Sequence, residues 1–163
     1  LLVIPYRTYP WNDDIIRYLE KFKKEMKKKN ILVLCTGNSC RSQMAEAYLK
    51  LYYADQCNVY SAGVEKHGIN PFAMGILMED NLDISNHYSK TIDELDDIPF
   101  DLIITVCDHA NEVCPIFPGK QTKIHHNFKD PSKMTGSSND LIRAFRETRD
   151  EIKEFCKNIN ILN

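Results

Sequence analysis

The segment Cys35-Thr36-Gly37-Asn38-Ser39-Cys40-Arg41-Ser42 sets a thiol and a guanidinium on either side of a five-residue loop, directly after the apolar run 31–34 and directly before a helix-forming stretch. A strand that runs into a tight loop and then into the first turn of a helix aims backbone N–H groups at one cavity, and the positive end of the helix dipole adds to them. Gly37 and Asn38 tolerate the left-handed backbone such a loop needs. Arg41 matches two oxygens of a tetrahedral oxyanion, and Ser42 can donate its hydroxyl to the Cys35 sulfur. The pattern predicts an oxyanion cradle spanning Thr36, Gly37, Asn38, Ser39, Cys40, Arg41 and Ser42, with Cys35 at its floor as a thiolate favoured over the thiol. The plainer alternative is a core cysteine that ends a strand beside an arginine that opens a helix.

Cys107 and Cys114 bracket a polar connector, residues 108–113, after a later apolar run. Two thiols joined by such a connector suit a reversible disulfide whose formation needs a backbone change. Their separation is wider than the Cys-x2-4-Cys of structural zinc sites and no second pair completes a set, so no metal site is expected despite His109, His125 and His126. Asp130 precedes Pro131, which restrains it to extended backbone. That restraint would hold its carboxyl over the cradle as an acid for a departing oxygen, although Asp-Pro is also an ordinary turn dipeptide.

These groups need a scaffold. From residue 30 onward, strand-forming runs at 31–34, 58–61, 101–106 and 122–126 alternate with helical stretches at 42–53, 71–79 and 139–157. Pro71 opens the second helix, and Leu141, Ile142, Phe145, Ile152 and Phe155 share one face of the third. The alternation predicts an α/β domain, an open, mostly four-stranded parallel sheet with helices on both faces. Ligands of such sheets bind beyond the carboxyl ends of the strands, so Cys35, Cys107 and Asp130 are expected to converge there.

A chain of 163 residues suffices for one domain, expected over 30–163, with residues 1–29 as a basic N-terminal extension that takes no part in catalysis. Residues 13–29 read as a helix with Ile15, Ile16, Leu19, Phe22 and Met26 near helical spacing, its lysine run a solvated face, and Met26 is an alternative start for the chain. A net charge of -2 supplies no field to recruit nucleic acid or a membrane surface. No stretch approaches the roughly 20 apolar residues of a membrane span. The opening Leu1-Leu2-Val3-Ile4 is halted by Pro5, too short for a secretory apolar region, so the six cysteines read as reduced thiols of the cytoplasm.

Together, Cys-Thr-Gly-Asn-Ser-Cys-Arg-Ser-Gln-Met-Ala-Glu at 35–46, Tyr-Ser-Ala-Gly at 60–63, His-Gly-Ile-Asn-Pro at 67–71, Asp-Ile-Ser-Asn-His at 83–87 and Asp130-Pro131 resemble the low-molecular-weight tyrosine phosphatase superfamily, and within it the thioredoxin-coupled arsenate reductases. Phosphatases of this fold usually carry proline where Gln43 stands and an aromatic where Ser132 stands, and they lack the thiols at Cys107 and Cys114. The resemblance implies reduction of arsenate to arsenite by three thiols. Cys35 attacks arsenic held by the loop and Arg41, Asp130 protonates the leaving oxygen, Cys107 attacks Cys35, and Cys114 attacks Cys107 to leave a disulfide for thioredoxin. It assigns Cys40, Cys57 and Cys156 no step. Phosphate and sulfate are expected to compete with arsenate, no cofactor to be tightly bound, phosphatase activity to be weak, and the protein to be a monomer. Some members of the family bind potassium through residues matching Asn38, Glu46 and Ser61, with an aspartate where this chain has Lys90. The Lys90 ammonium is expected to fill the cation's space, leaving little potassium stimulation. Two other functions stay open at this point, a phosphotyrosine phosphatase using Cys35, Arg41 and Asp130, and a non-catalytic oxyanion-binding or redox-sensing module.

Overall fold

The computed structural model describes residues 13–25 and 27–161; the opening segment 1–12 and the alternative start at Met26 lie outside the described residues. Strands β1 (Lys29–Cys35), β2 (Cys57–Gly63), β3 (Leu102–Thr105) and β4 (Thr122–His125) form one all-parallel sheet in the order β2-β1-β3-β4. In β1, Ile31 through Cys35 are all buried although successive side chains point to opposite faces, so both faces of the central strand are covered. Helix α2 (Arg41–Tyr53) is buried from Arg41 through Leu49 and packs on β1, on β2 and against α5 (Ser138–Asn158), which in turn receives α3 (Pro71–Glu79). A capping box between Ser137 and Asp140 starts α5, whose Phe145, Ile152 and Cys156 are fully buried.

Register brings the functional ends of the strands level. Cys35 pairs with Gly63, Leu34 with Thr105, and Thr105 with His125. The loops after β1, β3 and β4 therefore leave from one edge, as the alternation predicts.

Three features differ from the sequence reading. Strand β1 begins two residues early, because Lys29 and Asn30 pair with Cys57 and Asn58 although both are polar. Helix α1 (Asp13–Glu25) stops short of residue 29, and its Ile15, Ile16, Leu19 and Phe22 are exposed. The connector between Cys107 and Cys114 is a helix, α4 (Asp108–Glu112), and two short 3-10 turns occupy Ile92–Leu95 and Pro131–Lys133. No described helix is long and apolar enough to cross a membrane.

Candidate active site

The loop after β1 closes around the Cys35 sulfur. Asn38, in the left-handed region at φ 46°, points its backbone N–H at Cys35 Sγ, 3.1 Å away, and Ser42 Oγ lies 2.8 Å from the same atom. The Asn38 amide fixes the direction of these bonds. Its Nδ2 donates to Ser42 Oγ at 2.9 Å and to Ser61 Oγ at 2.8 Å, so the Ser42 hydrogen is free to point at sulfur. Its Oδ1 accepts from the Lys90 backbone N–H and from Gln43 Nε2, while its carbonyl accepts from Gln43 and Ser89. Gln43 also reaches the Tyr88 carbonyl, which leaves its oxygen to accept from His87 Nδ1 at 3.0 Å. A wholly buried amide with every polar atom paired holds the loop in one shape.

The expected preference for a thiolate meets an opposing effect. Burial pushes the Cys35 thiol up, and the bonds from Ser42 and the Asn38 N–H pull against it, with nearby Cys107 adding to the upward push. The sequence places the helix N-terminus beside the sulfur but carries no measure of how deeply the sulfur is buried.

Around the opening, Arg41 Nη2 meets Asp130 Oδ2 at 2.8 Å and Nη1 donates to the Phe128 carbonyl at 3.0 Å. Asp130 is thus at the cradle, as expected, but paired with Arg41; its second oxygen accepts from the Ser132 N–H and hydroxyl. A cavity of about 190 Å³ is lined by Cys35, Arg41 and Asp130 with the cradle residues Thr36, Gly37, Ser39 and Cys40, and by His67, Ser132 and Lys133. The His67 ring lies against Gly37, where a Cβ would stand 2.4 Å from Nδ1. Gly63 is tighter still, since a Cβ there would meet the Glu65 carbonyl at 2.2 Å, the Thr36 carbonyl at 2.6 Å and the Asn38 nitrogen at 2.8 Å. His67 and Lys133 are wall residues that the loop motif alone does not reveal.

Asn38, Ser61 and Glu46 are brought together, but by bonding to one another. Ser61 donates to Glu46 Oε2, and Lys50 Nζ meets Glu46 Oε1 at 2.5 Å. The ammonium on this carboxylate is therefore that of Lys50, one helical turn along α2, rather than Lys90. Lys90 is buried, donates to the Tyr88 carbonyl at 3.2 Å and lies over the Tyr88 ring; burial pushes its pKa down, against the pull of Glu46. His87 Nε2 stands 4.0 Å from Glu46.

Cys107 is buried at the N-cap of α4, 3.4 Å from Thr36 Oγ1, at the edge of the cradle. Cys114 is half-buried beyond the other end of α4, its thiol toward the Pro115 carbonyl. The five residues of α4, about 7.5 Å of helix, stand between the two free thiols, whereas a disulfide needs Cα atoms within about 7 Å. Cys40 is pushed up to about 11 and Cys156 to about 12 by burial, and burial raises Cys57 too. All six cysteines are free thiols, and among the described residues no three His, Cys, Asp or Glu side chains gather as metal ligands.

Residues 30–161 match the family described as low molecular weight phosphotyrosine protein phosphatase. The chain is 48% identical over 132 residues to an arsenate reductase of Halalkalibacterium halodurans, covering 81% of this chain and 95% of that one. It is 48% identical over 130 residues to an arsenate reductase of Bacillus cereus, covering 80% and 92%. Among solved structures, an arsenate reductase in the phosphate binding state superposes with a TM-score of 0.64 at 29% identity, over 80% of this chain and 95% of that one. A tyrosine phosphatase of Erwinia amylovora superposes with a TM-score of 0.65 at 22% identity over 80% and 90%, a likeness of fold.

Proposed function

Because this chain belongs to the low molecular weight phosphotyrosine protein phosphatase family, we propose that it reduces arsenate to arsenite with its own thiols and that a thioredoxin restores them. The observation that carries this reading is the second thiol at the edge of the cradle, Cys107, buried and 3.4 Å from Thr36 Oγ1. A phosphatase needs water to attack the adduct on its first cysteine; a reductase needs a sulfur there.

The oxyanion enters beside Arg41, whose fork exchanges Asp130 for two ligand oxygens. Released from that pair, Asp130 carries the proton for the departing oxygen, and the Asn38 and Ser42 bonds hold the attacking Cys35 sulfur. Cys35 displaces one oxygen from arsenic, which stays pentavalent. Cys107 then attacks the Cys35 sulfur, the sulfur–arsenic bond breaks, and its electron pair leaves with arsenic as arsenite. Cys114 attacks the Cys107 sulfur and expels the Cys35 thiolate. The Cys107–Cys114 disulfide is what thioredoxin reduces, in a compartment that keeps thiols reduced. Phosphate shares the shape and charge of arsenate, so it competes for the cradle, and Cys35, Arg41 and Asp130 support slow phosphoester hydrolysis.

The test is arsenate-dependent NADPH oxidation with thioredoxin and thioredoxin reductase supplied. Sustained consumption that Cys114→Ser abolishes is the expected result. No consumption by the fully reduced protein, together with rapid hydrolysis of a phosphotyrosine peptide, would transfer the assignment to a phosphatase.

A further inference from the structure

Helix α4 has five residues, too few to be stable alone, and stands between the free thiols of Cys107 and Cys114. It packs on β1 and β3, and side chains on β3, on the edge strand β4 and just past it bond to it. Asp108, its first residue, is gripped at both oxygens: Oδ1 lies 3.1 Å from His125 Nε2, and Oδ2 accepts from Asn127 Nδ2 at 2.6 Å. A ring nitrogen facing a carboxylate is the protonated one, so His125 donates there. Its other nitrogen lies 2.8 Å from the Thr105 hydroxyl, which anchors the ring to β3. Farther along α4, Thr105 Oγ1 reaches Asn111 Oδ1 at 3.4 Å, and Lys123 Nζ donates to the Asn111 carbonyl at 3.3 Å. These bonds join α4 to β3, to β4 and to the residues just past β4, and none involves a cradle residue.

We propose that His125 and Asn127, by holding Asp108, latch α4 in its helical form and thereby set how readily Cys107 and Cys114 form a disulfide. The inference rests on the reading that these two thiols pair and that α4 unwinds as they do. The latch bonds exist only while α4 is folded, so they stabilise the dithiol over the disulfide. They favour return of the pair to the reduced state after each turnover and oppose its premature oxidation. His125 and Asn127 touch neither the oxyanion cavity nor the thiols, so they are positioning residues that act through the helix.

The experiment is an equilibrium between the protein and a dithiothreitol redox buffer, with Cys35→Ser in every protein so that one pair is read. The exchange balances: oxidised dithiothreitol takes two hydrogens from Cys107 and Cys114 and becomes the dithiol. The products are mapped by mass spectrometry of alkylated peptides, with no arsenate present. His125→Leu and Asn127→Ala should each raise the constant for disulfide formation about tenfold, the scale of a partly exposed hydrogen bond to a charged group. For a two-electron couple that is a potential about 30 mV more negative. His125→Gln, whose amide can still donate to Asp108, should stay near the parent. Equal constants in parent, His125→Leu and Asn127→Ala would overturn the latch and leave the relay standing, and His125→Gln behaving like His125→Leu would overturn the role given to the Asp108 bond. If no protein forms the Cys107–Cys114 disulfide, the relay and the latch both fall.

Discussion

Replacing Ser42 by alanine removes the side-chain donor that lies 2.8 Å from Cys35 Sγ and leaves the Asn38 N–H, at 3.1 Å, in place. Hydrogen bonds to charged groups contribute about 1.5–3 kcal/mol, and with other donors still present the lower figure applies. A loss of about 1.4 kcal/mol is tenfold in an equilibrium constant, so the thiolate fraction at neutral pH should fall about tenfold. The sign follows from which form the bond favours. Ser42 stabilises the thiolate and pulls the thiol's pKa down against burial, so its loss moves ionisation of Cys35 to higher pH. The assay is the rate of Cys35 alkylation by iodoacetamide against pH, read by peptide mass. The Ser42→Ala profile should lie to the alkaline side, about tenfold slower at neutral pH and converging on the parent in strong base. Asn38 Nδ2 also loses an acceptor, so thermal melting is measured in parallel, with a cost of about 1–3 kcal/mol expected for an unsatisfied buried donor. Superimposable alkylation profiles would refute the assignment of Ser42 as a donor to the nucleophile.

Gly63→Ala should cost about 3 kcal/mol or more, since the added Cβ meets three backbone atoms of the loop region under 3 Å away; calorimetric melting checks this, together with loss of phosphate's protection of Cys35 from alkylation. Asp130→Asn should lower arsenate turnover by about a hundredfold or more through loss of the proton donor, while phosphate binding measured calorimetrically does not weaken, because Arg41 loses its competing partner. Exchanging sodium for potassium should leave turnover unchanged in the parent, whose Glu46 already carries the Lys50 ammonium, whereas Lys50→Ala should acquire a potassium response; strong activation of the parent would sink the idea.

The parallel sheet was legible because 31–34 and 102–104 are continuous apolar runs, and once strands alternate with helices the topology alone brings Cys35, Cys107 and Asp130 to one edge. Lys29 and Asn30 were not legible as strand, because their place in β1 comes from pairing with β2 and not from side-chain burial. Helix α4 is far shorter than the window of roughly 11–18 residues over which a helical period can be read, and side-chain bonds from β3, β4 and Asn127 supply what its sequence lacks. Glu46 and Lys50 stand one helical turn apart and form the pair that spacing permits, whereas the family resemblance points to Lys90 by position alone and carries no measure of which ammonium lies nearer. In the sequence Gln43 only separates reductase from phosphatase by resemblance; its physical part, bonding the Asn38 side chain and carbonyl and the Tyr88 carbonyl, needs three segments folded together.

The central claim is that electrons reach arsenic from Cys35 and Cys107 and are stored as a disulfide that ends on Cys114. Its most direct test is a single turnover of fully reduced protein with excess arsenate and no external reductant, counting arsenite released and mapping the disulfide by mass. The parent should release one arsenite per chain and end with Cys107 bonded to Cys114. Cys114→Ser should release the same amount and stop with Cys35 bonded to Cys107, and Cys107→Ser should release none. Arsenite release undiminished by Cys107→Ser, or a parent that releases none while its thiols stay reduced, would contradict the relay.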